Sequence, residues 1–155
     1  MRRNRMASQL LSIQQTYFIR ASVWTVFQAI SEPKWLVRWF LHSAELRPVK
    51  GTEYEFVWRG GYRHRGQVLA YVRNRRLSLS WPNRLGRSAI WTRATFTLRQ
   101  QGRGTLLALR HVGYPNTGGW VRIYGQTQYG WSYFLMNLKS VLEHGHDLRS
   151  DLDGM

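Results

Sequence analysis

The stretch from Trp120 to Glu143, WVRIYGQTQYGWSYFLMNLKSVLE, decides the fold. It contains no proline, and its apolar residues recur three or four positions apart, the spacing of one face of an α-helix. Two adjacent rows form this face: Tyr124, Gln128, Trp131, Leu135, Leu138 and Leu142, and beside them Ile123, Thr127, Phe134 and Val141. We predict that Asn116 or Thr117 caps the helix and that Gly145 ends it. About 24 residues at 1.5 Å each extend roughly 36 Å, so this helix needs a large apolar surface to lie on.

The chain before the helix supplies that surface as a β-sheet. Ser12 to Arg20 is rich in strand-forming residues, and two short helices follow. Ser22 is a natural N-cap for the first helix, which runs to Ile30, and Pro33 lies in the first turn of the second. From His42 onwards apolar and polar residues alternate with a period of two, which predicts about six further strands.

Turn residues divide this alternating region. We predict a weak strand from Ser43 to Val49, a strand that ends at Pro82, and loops at Asn83 to Ser88 and Gly113 to Gly119. One face of the strands is apolar and the other is polar or cationic, which is typical of an antiparallel sheet covered on one side. The predicted class is therefore α+β: a curved antiparallel sheet of about six to seven strands wrapped around one long C-terminal helix.

The length fits one domain, which we place at residues 12–145. We expect residues 1–11 to be a flexible N-terminal segment and residues 146–155 a flexible C-terminal tail. No run of about 18 apolar residues predicts a membrane span, and no apolar segment typical of a secretory signal follows the basic start. We expect a cytoplasmic protein that is a monomer or a homodimer.

The net charge of +15 comes mostly from arginine. No Asp or Glu lies between Phe56 and Leu142, whereas thirteen arginines do. Such a field attracts anionic partners, among them nucleic acid, acidic proteins and acidic membranes. The alternative is that the arginines have no partner and simply cover the exposed faces of the strands. The absence of cysteine excludes disulfides and thiol catalysis.

Motifs in order along the chain resemble the SRPBCC superfamily, the START-like proteins with a helix-grip fold, and within it the branch named after an activator of a heat-shock-protein ATPase. The resemblance covers about residues 12–144. The matching positions are Ile19-Arg20-Ala21-Ser22, Val26-Phe27, Pro33, Leu36, Trp39, Phe40, Gly51, Gly66-Gln67-Val68, Arg76-Leu77, Trp81, Thr95-Phe96, Gly104-Thr105, Leu107, Leu109, His111, Gly130-Trp131, Leu135, Leu138 and Glu143. Ala70 departs from the family, which often has an acidic residue there.

The resemblance implies a cavity between the sheet and the long helix, and the period-two alternation indicates which side chains face it. From the strands these are Tyr54, Phe56, Trp58, His64, Val68, Leu79, Trp81, Phe96, Leu109 and His111. From the helices they are Trp39, Phe40, Trp131, Phe134 and Leu135. An apolar pocket with a few polar groups is the usual form of a small-molecule site. The alternative is that these side chains fill a solid core.

His64 and His111 are the candidate catalytic residues. A buried neutral imidazole can orient a polar ligand or act as a general base, but it can equally be held in place by hydrogen bonds alone. Enzyme motifs such as a phosphate-binding glycine loop or a nucleophile elbow do not occur in the sequence. His144, His146 and Asp147 have the chemistry of metal ligands but lie near a chain end, so we predict no metal site and no cofactor.

Three hypotheses remain open. The first is a protein that binds a hydrophobic or amphipathic small molecule, lipid-like or polyketide-like, in the cavity. The second is an interaction module whose cationic sheet face binds an acidic protein, nucleic acid or membrane surface through arginines at positions 73, 75, 76, 93 and 110. The third is a cyclase- or dehydratase-type enzyme that uses His111.

Overall fold

An antiparallel sheet of seven strands forms the body of the fold in the computed structural model, which describes residues 9–153. The strands are β1 (Leu10–Ile19), β2 (Ser43–Glu45), β3 (Glu53–Val57), β4 (Arg63–Val72), β5 (Arg76–Leu85), β6 (Ser88–Gln101) and β7 (Gly104–Pro115). Their order across the sheet is β1-β7-β6-β5-β4-β3-β2. The predicted α+β class, with a curved antiparallel sheet and a long C-terminal helix, is confirmed.

Three α-helices complete the fold: α1 (Val23–Ser31), α2 (Pro33–Trp39) and α3 (Gly118–His144). The Ser22 hydroxyl caps α1 by accepting a hydrogen bond from the Thr25 backbone N–H at 3.1 Å. Pro33 opens α2, where its missing N–H is not needed. Gly145 ends α3 in the left-handed conformation, with φ at 69°, as predicted from the sequence.

The core lies between α3 and the inner face of the sheet. Helix α3 packs against β1, β5 and β7, and its C-terminal half buries Trp131, Leu135, Leu138 and Val141. The N-terminal half of α3 is less covered: Ile123, Tyr124 and Thr127 are only half-buried. The apolar stripe predicted for this helix is therefore more deeply buried in its second half, where Phe134 and Leu142 are half-buried and the other members are buried.

Several boundaries differ from the prediction. Strand β2 stops at Glu45, and β5 continues past Pro82 to Leu85, where it turns directly into β6. Beyond Leu79 the pairing of β5 with β4 has ended, and a strand with one neighbour can accept a proline at a position that needs no ladder hydrogen bond. Strand β7 likewise extends through Pro115 into the predicted loop.

The segments at the two ends also differ from the expectation. Strand β1 begins at Leu10, while residues 1–8 of the predicted N-terminal segment lie outside the described residues. After Gly145 a 3-10 helix, Leu148–Leu152, packs on the domain. Arg149 in this helix is buried and donates to the Leu41 carbonyl at 3.1 Å and to the Val37 carbonyl at 2.9 Å. The Arg149 side chain thus ties this segment to α2 and to the residues just after it, through contacts that a sequence pattern does not show.

Strand β4 changes neighbours midway. Its first half pairs with β3, from Arg63 to Gln67, and its second half pairs with β5, starting at Val68. At the crossover Tyr54 lies directly over Gly66, where an added Cβ would approach the tyrosine ring to 2.6 Å. The strands β4 and β5 therefore separate on one side of this point and leave a gap in the sheet. In the described part of the chain no helix is long and apolar enough to cross a membrane.

Candidate functional site

A cavity of about 320 Å³ lies at this gap, between the sheet and the N-terminal half of α3. Its lining residues are Phe40, Trp58, Tyr62, His64, Trp81, Pro82, Asn83, Arg84, Ile123, Gln126, Thr127, Gly130, Trp131 and Phe134. Tyr62, Arg84 and Gln126 are exposed and mark its mouth. The cavity forms because β4 and β5 diverge under a part of α3 that carries few large inward side chains.

Aromatic rings form most of the cavity wall. Trp81 has its ring centroid 6.0 Å from that of Trp58 and 5.1 Å from that of Trp131. Phe40 packs 5.3 Å from Trp58 and 5.0 Å from Phe134. Rings at these spacings and angles support one another by edge-to-face contacts, so the wall is rigid and apolar. Such a wall favours a flat, apolar ligand surface.

His64 is the buried titratable group of the cavity. Its ring centroid lies 4.6 Å from that of Trp58, 4.9 Å from that of Tyr62 and 4.8 Å from that of Trp81. Burial in this aromatic cage lowers the pKa of His64 to about 4, so the imidazole is neutral at pH 7. Its Nε2 lies 3.0 Å from the Tyr62 hydroxyl, while its Nδ1 is buried and has no hydrogen-bond partner within residues 9–153. A buried nitrogen left in this state costs roughly 1–3 kcal/mol.

His111 occupies a different environment behind the cavity wall. The Trp131 indole N–H donates to His111 Nδ1 at 3.0 Å, so the ring proton is on Nε2, which lies 2.7 Å from Thr92 Oγ1. Burial, with a smaller contribution from His64, lowers the pKa of His111 to about 3. Both nitrogens are engaged and the side chain is fully buried, so neither nitrogen faces the cavity. The geometry favours a histidine held in place by hydrogen bonds.

This histidine is part of a buried polar network. The Tyr114 hydroxyl donates to Asn83 Oδ1 at 2.7 Å, and Asn83 Nδ2 donates to the Trp81 carbonyl and to Thr92 Oγ1, each at 2.9 Å. Through His111 the same network reaches the Trp131 indole. It thereby fixes the orientation of the Trp131 ring and holds the backbone at Trp81, both on the cavity wall. A satisfied buried network of this kind gives a single well-defined arrangement of the side chains around it.

The structure divides the predicted lining residues into two groups. Six line the cavity: Phe40, Trp58, His64, Trp81, Trp131 and Phe134. The others pack in the core away from it: Trp39, Tyr54, Phe56, Val68, Leu79, Phe96, Leu109, His111 and Leu135. Both alternatives given by the sequence thus apply, each to a different part of the interior: one part is a cavity and the other is a solid aromatic core.

Some lining residues are not among those predicted from the sequence. The sequence predicts the end of a strand at Pro82 and a loop at Asn83 and Arg84, whereas in the structure all three lie on β5 and line the cavity. Gly130 lines the cavity from α3, and a Cβ placed on it would meet no atom within 4 Å. The signal that the sequence offered was the glycine itself, since a glycine inside a helical pattern often has a packing or functional reason.

The five arginines predicted to share the outer sheet face are not all together. Arg76, Arg93 and Arg110 surround one depression on this face. Arg73 and Arg75 instead lie in the turn between β4 and β5, because the strand ends at Val72 and Asn74 adopts a positive φ of 65°. Residues 9–153 contain no group of three or more side chains placed to hold a metal ion.

The family model described as activator of Hsp90 ATPase homolog 1-like protein matches residues 20–143. No curated protein matches the chain at a significant level.

Solved structures of similar fold are numerous. A protein from Mesorhizobium loti has 21% identity and a TM-score of 0.76, covering 89% of this chain and 99% of its own. The Aha1 dimer from Colwellia psychrerythraea has 22% identity and a TM-score of 0.75, covering 87% of this chain and 98% of its own. DynU16, a protein of the dynemicin biosynthetic locus, has 21% identity and a TM-score of 0.73, covering 86% of this chain and 48% of its own. At this level of identity the likeness establishes the fold.

Proposed function

The chain belongs to the family of activator of Hsp90 ATPase homolog 1-like proteins, and from this premise we propose that it binds a small aromatic or amphipathic molecule in the cavity beside α3. The observation that carries the proposal is the cavity wall itself: aromatic rings in mutual contact, with His64 among them as a buried neutral imidazole. ATPase activation is the activity of the protein after which the family is named, and it is not part of this proposal.

The chemistry of the lining defines the class of ligand. About 320 Å³ is at the lower end of the range of roughly 300–1,000 Å³ for small-molecule pockets, so a few fused rings are a suitable size. The tryptophan and phenylalanine rings favour a planar apolar body, and the Tyr62 hydroxyl at the mouth offers it one hydrogen-bonding group. Arg84 at the mouth adds a preference for an anionic substituent that remains in contact with water.

One structural neighbour supports a small-molecule role by its context. DynU16 belongs to a biosynthetic locus, that of dynemicin, and shares the fold of this chain with a TM-score of 0.73. The proposal includes binding and no catalytic step, because His111 has both ring nitrogens in internal hydrogen bonds and lies behind the wall. His64 is the buried titratable side chain that lies on the cavity wall beside a bound molecule.

The test uses two fluorescent probes of similar shape and different charge. N-phenyl-1-naphthylamine is neutral and carries one N–H, whereas 1-anilinonaphthalene-8-sulfonate is an anion. We expect each to bind saturably with one molecule per chain, to quench tryptophan emission through Trp58, Trp81 and Trp131, and to displace the other. The proposal is wrong if the neutral probe fails to bind, or if it leaves the bound anionic probe in place, since the anion is then held elsewhere by arginine.

A further inference from the structure

The sheet face opposite α3 carries a second large concavity, of about 700 Å³, which we call the outer-face depression. Its floor consists of small hydroxyl residues: Ser78 on β5 is opposite Thr95 on β6, and their hydroxyl oxygens are 2.8 Å apart. Arg110 on β7 is opposite Thr95, and Arg76 and Arg93 lie in the same depression. Short side chains between long cationic ones make the concavity.

Within residues 9–153 the three arginines of this depression have no acidic partner. The ion pairs of residues 9–153 involve arginines at other positions, two of which pair with Glu55, and none reaches Arg76, Arg93 or Arg110. Arg93 is opposite Val112, so Arg93 and Arg110 are diagonal neighbours on adjacent strands, with Cα atoms roughly 7–8 Å apart. Like charges held this close repel one another, and an anion placed between them removes the repulsion.

An exposed aromatic ring extends the same face. Trp91 precedes Arg93 by two residues on β6 and therefore points to the same side of the sheet. Its side chain is 64% exposed and lines a neighbouring groove with Gln67, Ser80 and the oppositely charged pair Glu53 and Arg65. A large exposed tryptophan next to unpaired arginines and hydroxyl groups is the combination that holds single strands of nucleic acid, where phosphates meet cations and bases stack on rings.

Other anionic partners match the face less well. An acidic peptide would pair with the arginines but would leave Trp91 without a specific role. An acidic membrane calls for a patch of several exposed apolar residues, whereas the exposed Val72, opposite Arg76, and Trp91, opposite Pro82, are six positions apart along β5. Duplex DNA is read by an element that enters a groove, whereas this face is a sheet surface.

We propose that the outer-face depression binds single-stranded nucleic acid without sequence preference, with phosphates on Arg76, Arg93 and Arg110 and a base stacked on Trp91. This site lies on the opposite side of the sheet from the cavity beside α3. The two sites are therefore independent, and failure of one leaves the other standing.

The experiment measures the anisotropy of fluorescein-labelled oligothymidylate of twelve nucleotides over a series of salt concentrations, with nuclease-treated protein. One variant changes Arg76, Arg93 and Arg110 to Gln. A matched variant changes three exposed arginines outside the depression, those at positions 47, 87 and 103, to Gln. Both variants lose the same charge. Retained binding of N-phenyl-1-naphthylamine, or an unchanged circular dichroism spectrum and melting temperature, shows that each variant is folded.

We expect the first variant to flatten the dependence of log K on log salt by about 2, since each phosphate contact contributes about 0.7 for single strands. The matched variant should keep most of the slope. Trp91→Ala should weaken binding at least about fivefold, the lower end for a base stacked on an aromatic ring, and Trp91→Phe should restore it.

Three results overturn the proposal. Equal losses in the two arginine variants mean that net charge alone holds the oligonucleotide. Wild-type affinity in Trp91→Ala removes the stacking that distinguishes nucleic acid from other anions. Tighter binding of a poly-glutamate peptide, of phosphatidylglycerol vesicles or of the duplex of equal length assigns the face to that partner instead.

Discussion

Gly130 offers a way to close the cavity without removing any of its walls. It lines the cavity from inside α3, and an added Cβ there would meet no atom within 4 Å. In Gly130→Leu the new side chain therefore enters space that is empty in the wild type. Gly125 is the matched control, because it also lies inside α3 with an open Cβ position but is exposed and outside the cavity lining.

The size of the effect follows from volume and from helix propensity. Truncating a buried leucine to alanine opens about 150 Å³, so a leucine at Gly130 takes up roughly half of the cavity of about 320 Å³. A probe forced to share that space suffers the cost of overpacking, about 1–3 kcal/mol, which corresponds to a loss of affinity of roughly 5- to 150-fold. Replacing a helical glycine adds about 0.5–1 kcal/mol to the free energy of unfolding in both variants.

The assay combines a fluorescence titration with N-phenyl-1-naphthylamine and a thermal melt. Gly130→Leu should bind the probe at least fivefold more weakly while melting at or above the wild-type temperature. Gly125→Leu should gain similar stability and bind as the wild type does. A folded Gly130→Leu protein with wild-type affinity would refute the assignment of the probe site to this cavity.

Three other changes test separate parts of the account. Arg84→Gln should lower the affinity for 1-anilinonaphthalene-8-sulfonate about two- to fivefold and leave that for the neutral probe unchanged, because an exposed ion pair contributes about 1 kcal/mol or less; parallel titrations measure this. His111→Phe leaves the Trp131 N–H without an acceptor, so the free energy of unfolding in urea should fall by roughly 2–4 kcal/mol, and an unchanged value would contradict the network. Burial raises the pKa of Asp147, but hydrogen bonds, above all from Arg149, outweigh it and hold this pKa at about 2. The contribution of the Asp147 carboxylate to the free energy of unfolding should therefore be complete above pH 4 and be lost as the pH falls towards 2. Asp147→Asn should be less stable at pH 7 and should lack this part of the acid dependence in melts recorded between pH 2 and pH 7.

The sequence was sufficient for the fold because its main signals are local. Ser22, Pro33 and Gly145 mark helix ends by short-range chemistry, and alternation along the strands identifies the inner face of the sheet. Pro82 misled the prediction, because a proline ends a strand only where the backbone N–H has a partner to lose. The loss of pairing between β4 and β5 near this point is a tertiary feature.

The same limit applies to the candidate site. Parity along a strand places both His64 and His111 inside, but it does not tell a cavity wall from a closed network. That distinction depends on the Trp131 indole, which is 20 positions away in the sequence and donates to His111. Arg149 likewise depends on the carbonyl groups of Val37 in α2 and of Leu41 just after it, more than 100 positions away, so its burial could not be predicted from the composition of the C-terminal segment.

The most direct test of the cavity assignment is a long-range ¹H–¹⁵N spectrum of the histidine side chains, recorded with and without N-phenyl-1-naphthylamine. The chain has five histidines, of which His64 alone lines the cavity. We predict that saturating probe shifts the Nδ1 resonance of His64 and leaves the neutral Nε2–H form of His111 unchanged, and that Gly130→Leu needs at least about fivefold more probe for the same shift of His64. A bound probe that leaves the His64 resonances in place would contradict the account, because the ligand would then lie outside the aromatic cage.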